Sequence, residues 1–185
     1  HPHIILAIDH EQCGHSRTGK LFAYQHANII PDIVATAKGI GNGFPLGVVM
    51  CTEEVSKAIT PGTHGTTFGA NPLAMSIGMC IFKKLSDENF LKQIQDNSKY
   101  LHDKLTNIAK KHSNKIIEIK GFGLMLGIRI NQKYKHTEIL EKLRDNKLLL
   151  ATAGTDVIRL LPPLIITKKH IDKAILIIDR VFNEI

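Results

Sequence analysis

Tryptophan is absent from this 185-residue chain and aromatic side chains make up only 5% of it. With so few rings to stack on bases, and with 24 Lys and Arg spread along the chain rather than clustered, the formal charge of +7 does not describe a nucleic-acid surface. Cysteine is scarce too. Cys13, Cys51 and Cys80 are odd in number and have no C-x-x-C spacing, which argues against a disulfide framework or a thiolate zinc site and for a reducing, cytoplasmic setting. No run of about 18 apolar residues exists to span a membrane. No basic segment or cleavage signature precedes the first apolar run, so no signal peptide is expected. There is no internal repeat. The chain opens at His1, with Ile4 to Ile8 already reading as a buried strand, a start that suggests a processed chain or a piece of something longer.

What is present is ordinary globular material, 43% hydrophobic, organised around one stretch. In Val34-Ala-Thr-Ala-Lys-Gly-Ile-Gly-Asn-Gly-Phe-Pro-Leu-Gly47 a single lysine follows a strand-like apolar run and precedes three glycines. A lysine amine held against a bound carbonyl forms a Schiff base, and Gly39, Gly41 and Gly43 would let backbone pass close to a flat ligand. Lys38 is therefore the candidate reactive residue. The same pattern also reads as a solvated lysine before a turn. The basic balance would suit an anionic ligand, and it equally reflects a lysine-rich composition.

Along the chain, the first apolar run ends in Asp9, a carboxylate at the C-terminal edge of a strand, where open α/β sheets bind ligands. His10 to Lys20 reads as a loop, Leu21 to Asn28 as a short helix, Ile33 to Ala35 as a strand leading to Lys38, and Leu46 to Cys51 as another strand. A helix capped by Thr52 should run to about Ile59. The loop from Gly62 to Pro72 is rich in hydroxyls and glycine, and its Thr66 and Thr67 suit a phosphate. A helix over about Leu73 to Leu85 follows, then a long helix carrying Phe90, Ile94, Leu101, Leu105 and Ile108 that bridges two domains. Strands are expected at Ile116 to Lys120, Met125 to Ile130, Leu148 to Ala151 and Val157 to Leu161, with helices over His136 to Asn146 and Lys168 to Phe182.

Asp9 and Lys38, each at a strand end, form a pair with a specific chemical use. Pyridoxal phosphate needs a lysine to hold its aldehyde and a carboxylate to keep its ring nitrogen protonated. At this point four ordered segments resemble the class III pyridoxal-phosphate aminotransferases, in particular the acetylornithine and ornithine aminotransferase group. Asp9-His-Glu-Gln-Cys-Gly-His-Ser-Arg-Thr-Gly-Lys20 is similar to D-E-V-Q-T-G-x-G-R-T-G-K, and Pro31 to Gly47 to P-D-I-x-x-x-A-K-x-x-G-x-G-x-P-x-G. Thr63-His-Gly-Thr-Thr-Phe-Gly-Ala-Asn-Pro72 is similar to T-H-G-T-T-F-G-G-N-P, with Ala70 for a glycine, and Val157 to Leu164 to V-I-R-x-x-P-P-L.

The resemblance implies an α/β protein of PLP-dependent transferase fold type I, in part: residues 1–86 as the C-terminal part of the cofactor-binding large domain and 87–185 as the small α+β domain. It implies pyridoxal 5'-phosphate as cofactor, Lys38 as the Schiff-base lysine, Asp9 at the pyridine nitrogen, Gln12 near the ring hydroxyl and Thr66 and Thr67 at the phosphate. Arg159 matches the arginine that receives a substrate carboxylate. The implied activity moves an amino group between a donor such as N-acetylornithine and 2-oxoglutarate, a step of arginine biosynthesis, in a homodimer or with a missing N-terminal half. The alternative is a truncated, non-catalytic remnant that cannot hold the cofactor alone.

Departures concentrate in the first segment, where His10, Glu11 and Cys13 replace Glu, Val and Thr, and His15 and Ser16 replace a variable residue and a glycine. A buried, unpartnered Glu11 would cost several kcal/mol. His1, His3, His10 and His15 lack a matching carboxylate and cysteine set, so no metal site is expected. A sheet begun midway leaves edges and apolar faces uncovered, which predicts association.

Overall fold

The computed structural model describes residues 4–185, so His1 and His3 lie outside the described residues. Two compact units meet in the chain between Leu91 and Lys92. In the first unit, strand β1 (Ala7–Asp9) runs parallel to β2 (Ile33–Thr36), and β2 pairs antiparallel with β3 (Val48–Cys51), so β2 is central. The β-branched Ile-Val-Ala-Thr sequence suits a pleated, packed strand, with Val34 and Thr36 buried on one face. β1 starts later than the expected Ile4. Asp32 takes over the approach: its carboxylate accepts the Leu6 N–H at 2.9 Å, and its own N–H donates to the Leu6 carbonyl.

Helix α1 (Glu53–Ser56) has the expected Thr52 cap, yet stops short of Ile59. Ser56 Oγ donates to the Glu53 carbonyl at 2.8 Å, and Pro61 and Gly62 follow. Helix α2 (Pro72–Leu85) starts with Asn71 accepting the Ala74 N–H at 2.9 Å and Pro72 in the first turn. The helix expected over Leu21 to Asn28 is only a 3-10 turn, Ala23–His26, held where Gln25 Oε1 accepts the Phe22 N–H.

The loop after β1 is packed by rings. Phe22 and Tyr24 lie 5.7 Å apart with an interplanar angle of 7°, His10 stacks on Tyr24 at 5.5 Å, and His15 meets Phe22 edge-on at 5.9 Å. The Tyr24 N–H donates to His10 Nε2 at 2.9 Å, so the hydrogen of this buried ring sits on Nδ1, facing the Asp9 carbonyl at 3.1 Å. His15 Nε2 hydrogen-bonds Thr36 Oγ1, whose own hydrogen faces the His10 carbonyl. His15 Nδ1 is buried and has no hydrogen-bond partner among the described residues. Ser16, which stands where the resembled family has glycine, occupies the left-handed region at φ +67 and is tied down by Oγ donating to the Leu85 carbonyl at 2.7 Å.

Helix α3 (Glu88–Lys111), which Asp87 starts by accepting the Phe90 N–H, crosses the boundary in its first turn, and the second unit is built on the rest of it and on α5 (Lys168–Asn183). Leu101, Leu105 and Ile108 of α3 and Ile171, Ile178 and Phe182 of α5 are buried at helical spacing. Polar ties join the two helices: Tyr100 Oη donates to Asp172 at 2.7 Å, and Asp179 accepts from Lys111 at 2.7 Å and from His112 at 2.8 Å. Hydrogen bonds from Tyr100 and from Lys111, respectively, hold the Asp172 and Asp179 carboxyls below the usual carboxylate range.

Strands β4 (Ile116–Phe122), β5 (Met125–Ile130), β6 (Ala151–Ala153) and β7 (Val157–Leu160) form an antiparallel sheet in the order β4-β5-β7-β6. Gly121 makes the β4–β5 hairpin possible, because at φ +111 a Cβ would sit 2.1 Å from the Met125 carbonyl oxygen. β6 begins three residues after the expected Leu148. That residue instead closes helix α4 (His136–Asp145), its N–H donating to the Leu143 carbonyl behind a left-handed Lys147. Among the described residues, no helix is long and apolar enough to cross a membrane.

Burial within α5 separates two substitutions of similar chemistry. Ile178→Ala, at a fully buried position, is expected to lower unfolding stability by about 2–5 kcal/mol, whereas Leu176→Ala, 67% exposed, stays within about 0.5 kcal/mol; urea denaturation of each variant checks both. Burial, then the neighbouring His10, pushes the His15 pKa down, because a second ring N–H would find no acceptor. The folded chain therefore binds fewer protons than the unfolded one, and stability should fall as pH drops below the unfolded imidazole value of about 6.5. Unfolding midpoints between about pH 7.5 and 5.5 should decline for the native sequence and flatten for His15→Phe.

Candidate active site

The parallel pairing of β1 and β2 sets Asp9 opposite Ala35, and the His10 N–H donates to the Ala35 carbonyl at 2.7 Å. Both strands end here. Asp9 is the last residue of β1, and Lys38 follows two residues after the end of β2, so a carboxylate and an amine leave the same sheet edge from adjacent strands. This is the edge where open α/β sheets bind ligands.

Lys38 is held by its main chain. Its φ of +52 lies in the left-handed region, uncommon for a side chain of this kind, and its carbonyl accepts the N–H groups of Gly41 and Asn42, both at 3.2 Å. Gly41 is required by the chain itself: a Cβ there would lie 2.0 Å from the Phe44 carbonyl oxygen. Gly39 faces the His15 ring, at 3.2 Å from a built Cβ. Gly41 is thus accounted for by internal packing before any flat ligand is invoked, and Gly39 sits in tight contact with a ring.

Asp9 Oδ1 accepts the Glu11 N–H at 2.9 Å, while its other carboxylate oxygen accepts no hydrogen bond among the described residues. Asp9 and Lys38 are both exposed. Glu11 departs from the expectation of a costly buried charge. Its side chain is 44% exposed and pairs with Lys38, which is 56% exposed, so the departure from valine brings a second carboxylate onto the candidate amine. Gln12 is exposed in the same turn, and burial, followed by the Asp9 charge, pushes the Cys13 thiol up.

Thr66 and Thr67 lie in an exposed loop between α1 and α2. Ala70, standing for a glycine, takes φ +53 there. Around this loop apolar side chains are uncovered: Phe68 is 81% exposed and Met79 on α2 is 74% exposed. Arg159 belongs to the second unit, half-buried on β7 between Gly127 of β5 and Ala151 of β6. Sequence reasoning missed the supporting roles of Thr36 and Tyr24. The available signal was the alternation that turns Thr36 inward on the same strand that delivers Lys38.

A pyridine aldehyde carrying a phosphate would find at this edge an exposed amine for the aldehyde and, in the Asp9 oxygen that does not accept the Glu11 N–H, an acceptor for a ring N–H. The donor set at the sheet edge fits that group, with Glu11 as the one element that competes for the amine.

Residues 1–182 match the family model described as aminotransferase class-III. The chain is 40% identical over 181 residues to an acetylornithine aminotransferase of Streptococcus mutans, covering 98% of this chain and 47% of that protein. Among solved structures it is similar to an ornithine aminotransferase from Plasmodium yoelii, with a TM-score of 0.90 at 30% identity, covering 98% of this chain and 48% of the other. An ornithine aminotransferase from Toxoplasma gondii, whose structure reveals partial occupancy of PLP at its active site, gives 0.90 at 31% identity, covering 97% and 43%. The chain spans about half the length of the relatives it matches, and it shares the α/β fold of these pyridoxal-phosphate aminotransferases in part. On the family match and these likenesses together, the chain belongs to the class-III aminotransferases.

Proposed function

We propose that this chain is the C-terminal portion of a pyridoxal-phosphate-dependent aminotransferase that transfers an amino group between a donor such as N-acetylornithine and 2-oxoglutarate. The observation that carries the reading is the delivery of Asp9 and Lys38 to one sheet edge by two adjacent parallel strands. When bound, the cofactor supplies an aldehyde and an electron-accepting ring. Lys38 Nζ would hold the cofactor through its aldehyde, and once freed by a substrate amine it would be placed to carry a proton from the substrate α-carbon to the former aldehyde carbon. Asp9 would keep the pyridine nitrogen protonated through the carboxylate oxygen that does not accept the Glu11 N–H. The resemblance of the motifs supports Gln12 at the ring hydroxyl, Thr66 and Thr67 at the phosphate and Arg159 at the substrate carboxylate, where a guanidinium fork matches two oxygens. In this reading residues 1–86 form the cofactor-binding part and 87–185 the small domain, working in the cytoplasm as a homodimer or with a further N-terminal half.

A second reading, a remnant that does not hold the cofactor by itself, is favoured by the loop from Gly62 to Ala70, which is exposed throughout. One experiment separates the two. The purified chain is titrated with pyridoxal phosphate, reduced with borohydride and mapped by peptide. The aminotransferase reading expects one pyridoxyl group, on Lys38, absent in Lys38→Ala. Labelling scattered over many lysines, or equal labelling in Lys38→Ala, would contradict it and support the remnant.

A further inference from the structure

We propose that Glu11 is a positioning residue for Lys38: its carboxylate is the resting partner of the Lys38 ammonium and must be displaced before that nitrogen can react with a carbonyl. The inference rests on the reading of Lys38 as the carbonyl-reactive residue, and it adds a device at that site which the motif resemblance does not supply, since the resembled segment has valine at this position.

Three features of the geometry carry it. The first is the contact itself, a direct carboxylate-to-ammonium pair between the turn after β1 and the turn after β2. The second is that neither partner is free to wander at its main chain. The Glu11 N–H is fastened to Asp9 Oδ1 at 2.9 Å, while Lys38 sits in a left-handed conformation with its carbonyl accepting two N–H groups. The turn that carries Glu11 is also braced from below: the His10 ring is seated on the Tyr24 N–H, and His15 is tied to Thr36 on β2. The third is exposure. Both side chains remain about half open to solvent, so the pair forms an accessible ionic contact that an incoming group can exchange, in contrast to a sealed buried bridge.

Asp9 does not duplicate this role. Its carboxylate is engaged with the Glu11 main chain through one oxygen, and the other has no described partner. The two carboxylates of the turn therefore divide the work, Asp9 standing open and Glu11 occupying the amine. Substitution of Glu11 should release Lys38 while leaving the Asp9-to-Glu11 main-chain hydrogen bond intact, because that bond uses the N–H of residue 11 and no side-chain atom.

The test reads Lys38 reactivity directly and needs no bound cofactor. The full chain is methylated with formaldehyde and cyanoborohydride, and the rate at Lys38 is followed by peptide mapping relative to Lys57 and Lys83, exposed lysines with no ion pair among the described residues. In Glu11→Val and Glu11→Gln the relative rate at Lys38 should rise about two- to fivefold, the range set by a solvent-exposed ion pair. In the unsubstituted chain, added salt should raise the relative rate at Lys38, and in Glu11→Val it should not. An unchanged or slower Lys38 in both variants, or a rate in the unsubstituted chain that ignores salt, would overturn the inference. Failure of pyridoxal phosphate to label Lys38 would instead overturn the proposed function, so the two failures are distinct.

Discussion

The parallel pairing of β1 with β2 is the constraint on which the candidate site depends. Its register places Asp9 opposite Ala35, and the His10 N–H on the Ala35 carbonyl carries the pairing one residue past the end of β1. Because the strands run the same way, both of their C-terminal ends face one edge, and the residues that follow them leave in the same direction. A slip of one residue would turn the Asp9 carboxylate to the opposite face of the sheet while leaving Lys38 where it is. The register is therefore what brings both candidate groups to one edge. β2 secures it from its other side by antiparallel pairing with β3 and from within by burying Val34 and Thr36.

The turn after β1 is where this chain has changed its own chemistry. His10, Glu11, His15 and Ser16 replace residues of the resembled family pattern, and all four are integrated rather than tolerated. His10 and His15 join Phe22 and Tyr24 in a ring cluster, Ser16 bonds the end of α2, and Glu11 takes the lysine. Two of these positions, His15 and Ser16, adopt left-handed backbone at φ +55 and φ +67, as does Ala70 in the hydroxyl-rich loop. Where glycine would adopt such angles freely, each of these residues carries roughly 1 kcal/mol of strain that neighbouring contacts must offset. By contrast the second unit shows little local conflict: its helices α3 and α5 follow the apolar periodicity and are cross-tied by Asp172 and Asp179.

Much of this architecture was legible in the residues. The periodic apolar positions of α3 and α5 and the apolar runs of β2, β5 and β7 lie where expected, because tertiary packing there agrees with local pattern. The shortfalls came where a local hydrogen bond, from a side chain or from the chain itself, captured backbone that the pattern would have assigned elsewhere. Asp32 bonds Leu6 and delays β1, Ser56 accompanies the early end of α1, and Leu148 closes α4 before β6 begins. The site was legible in its parts, a lysine and an aspartate each at a strand end. The Glu11–Lys38 pair was not, since the partner of an introduced charge depends on which neighbouring turn it can reach. The glycines after Lys38 pointed to a ligand, whereas Gly41 is demanded by the Phe44 carbonyl and Gly39 lies in tight contact with the His15 ring.

The most direct measurement of the central claim, that the β1–β2 edge brings Asp9 and Lys38 to one cofactor, is nuclear magnetic resonance of pyridoxal phosphate carrying an isotope-labelled ring nitrogen, bound to the chain and to Asp9→Asn. A protonated ring nitrogen at neutral pH in the unsubstituted chain, lost in Asp9→Asn while Lys38 still binds the cofactor, is the predicted result. A ring nitrogen with the same protonation in both would show that Asp9 does not face the group held by Lys38, and would contradict the account.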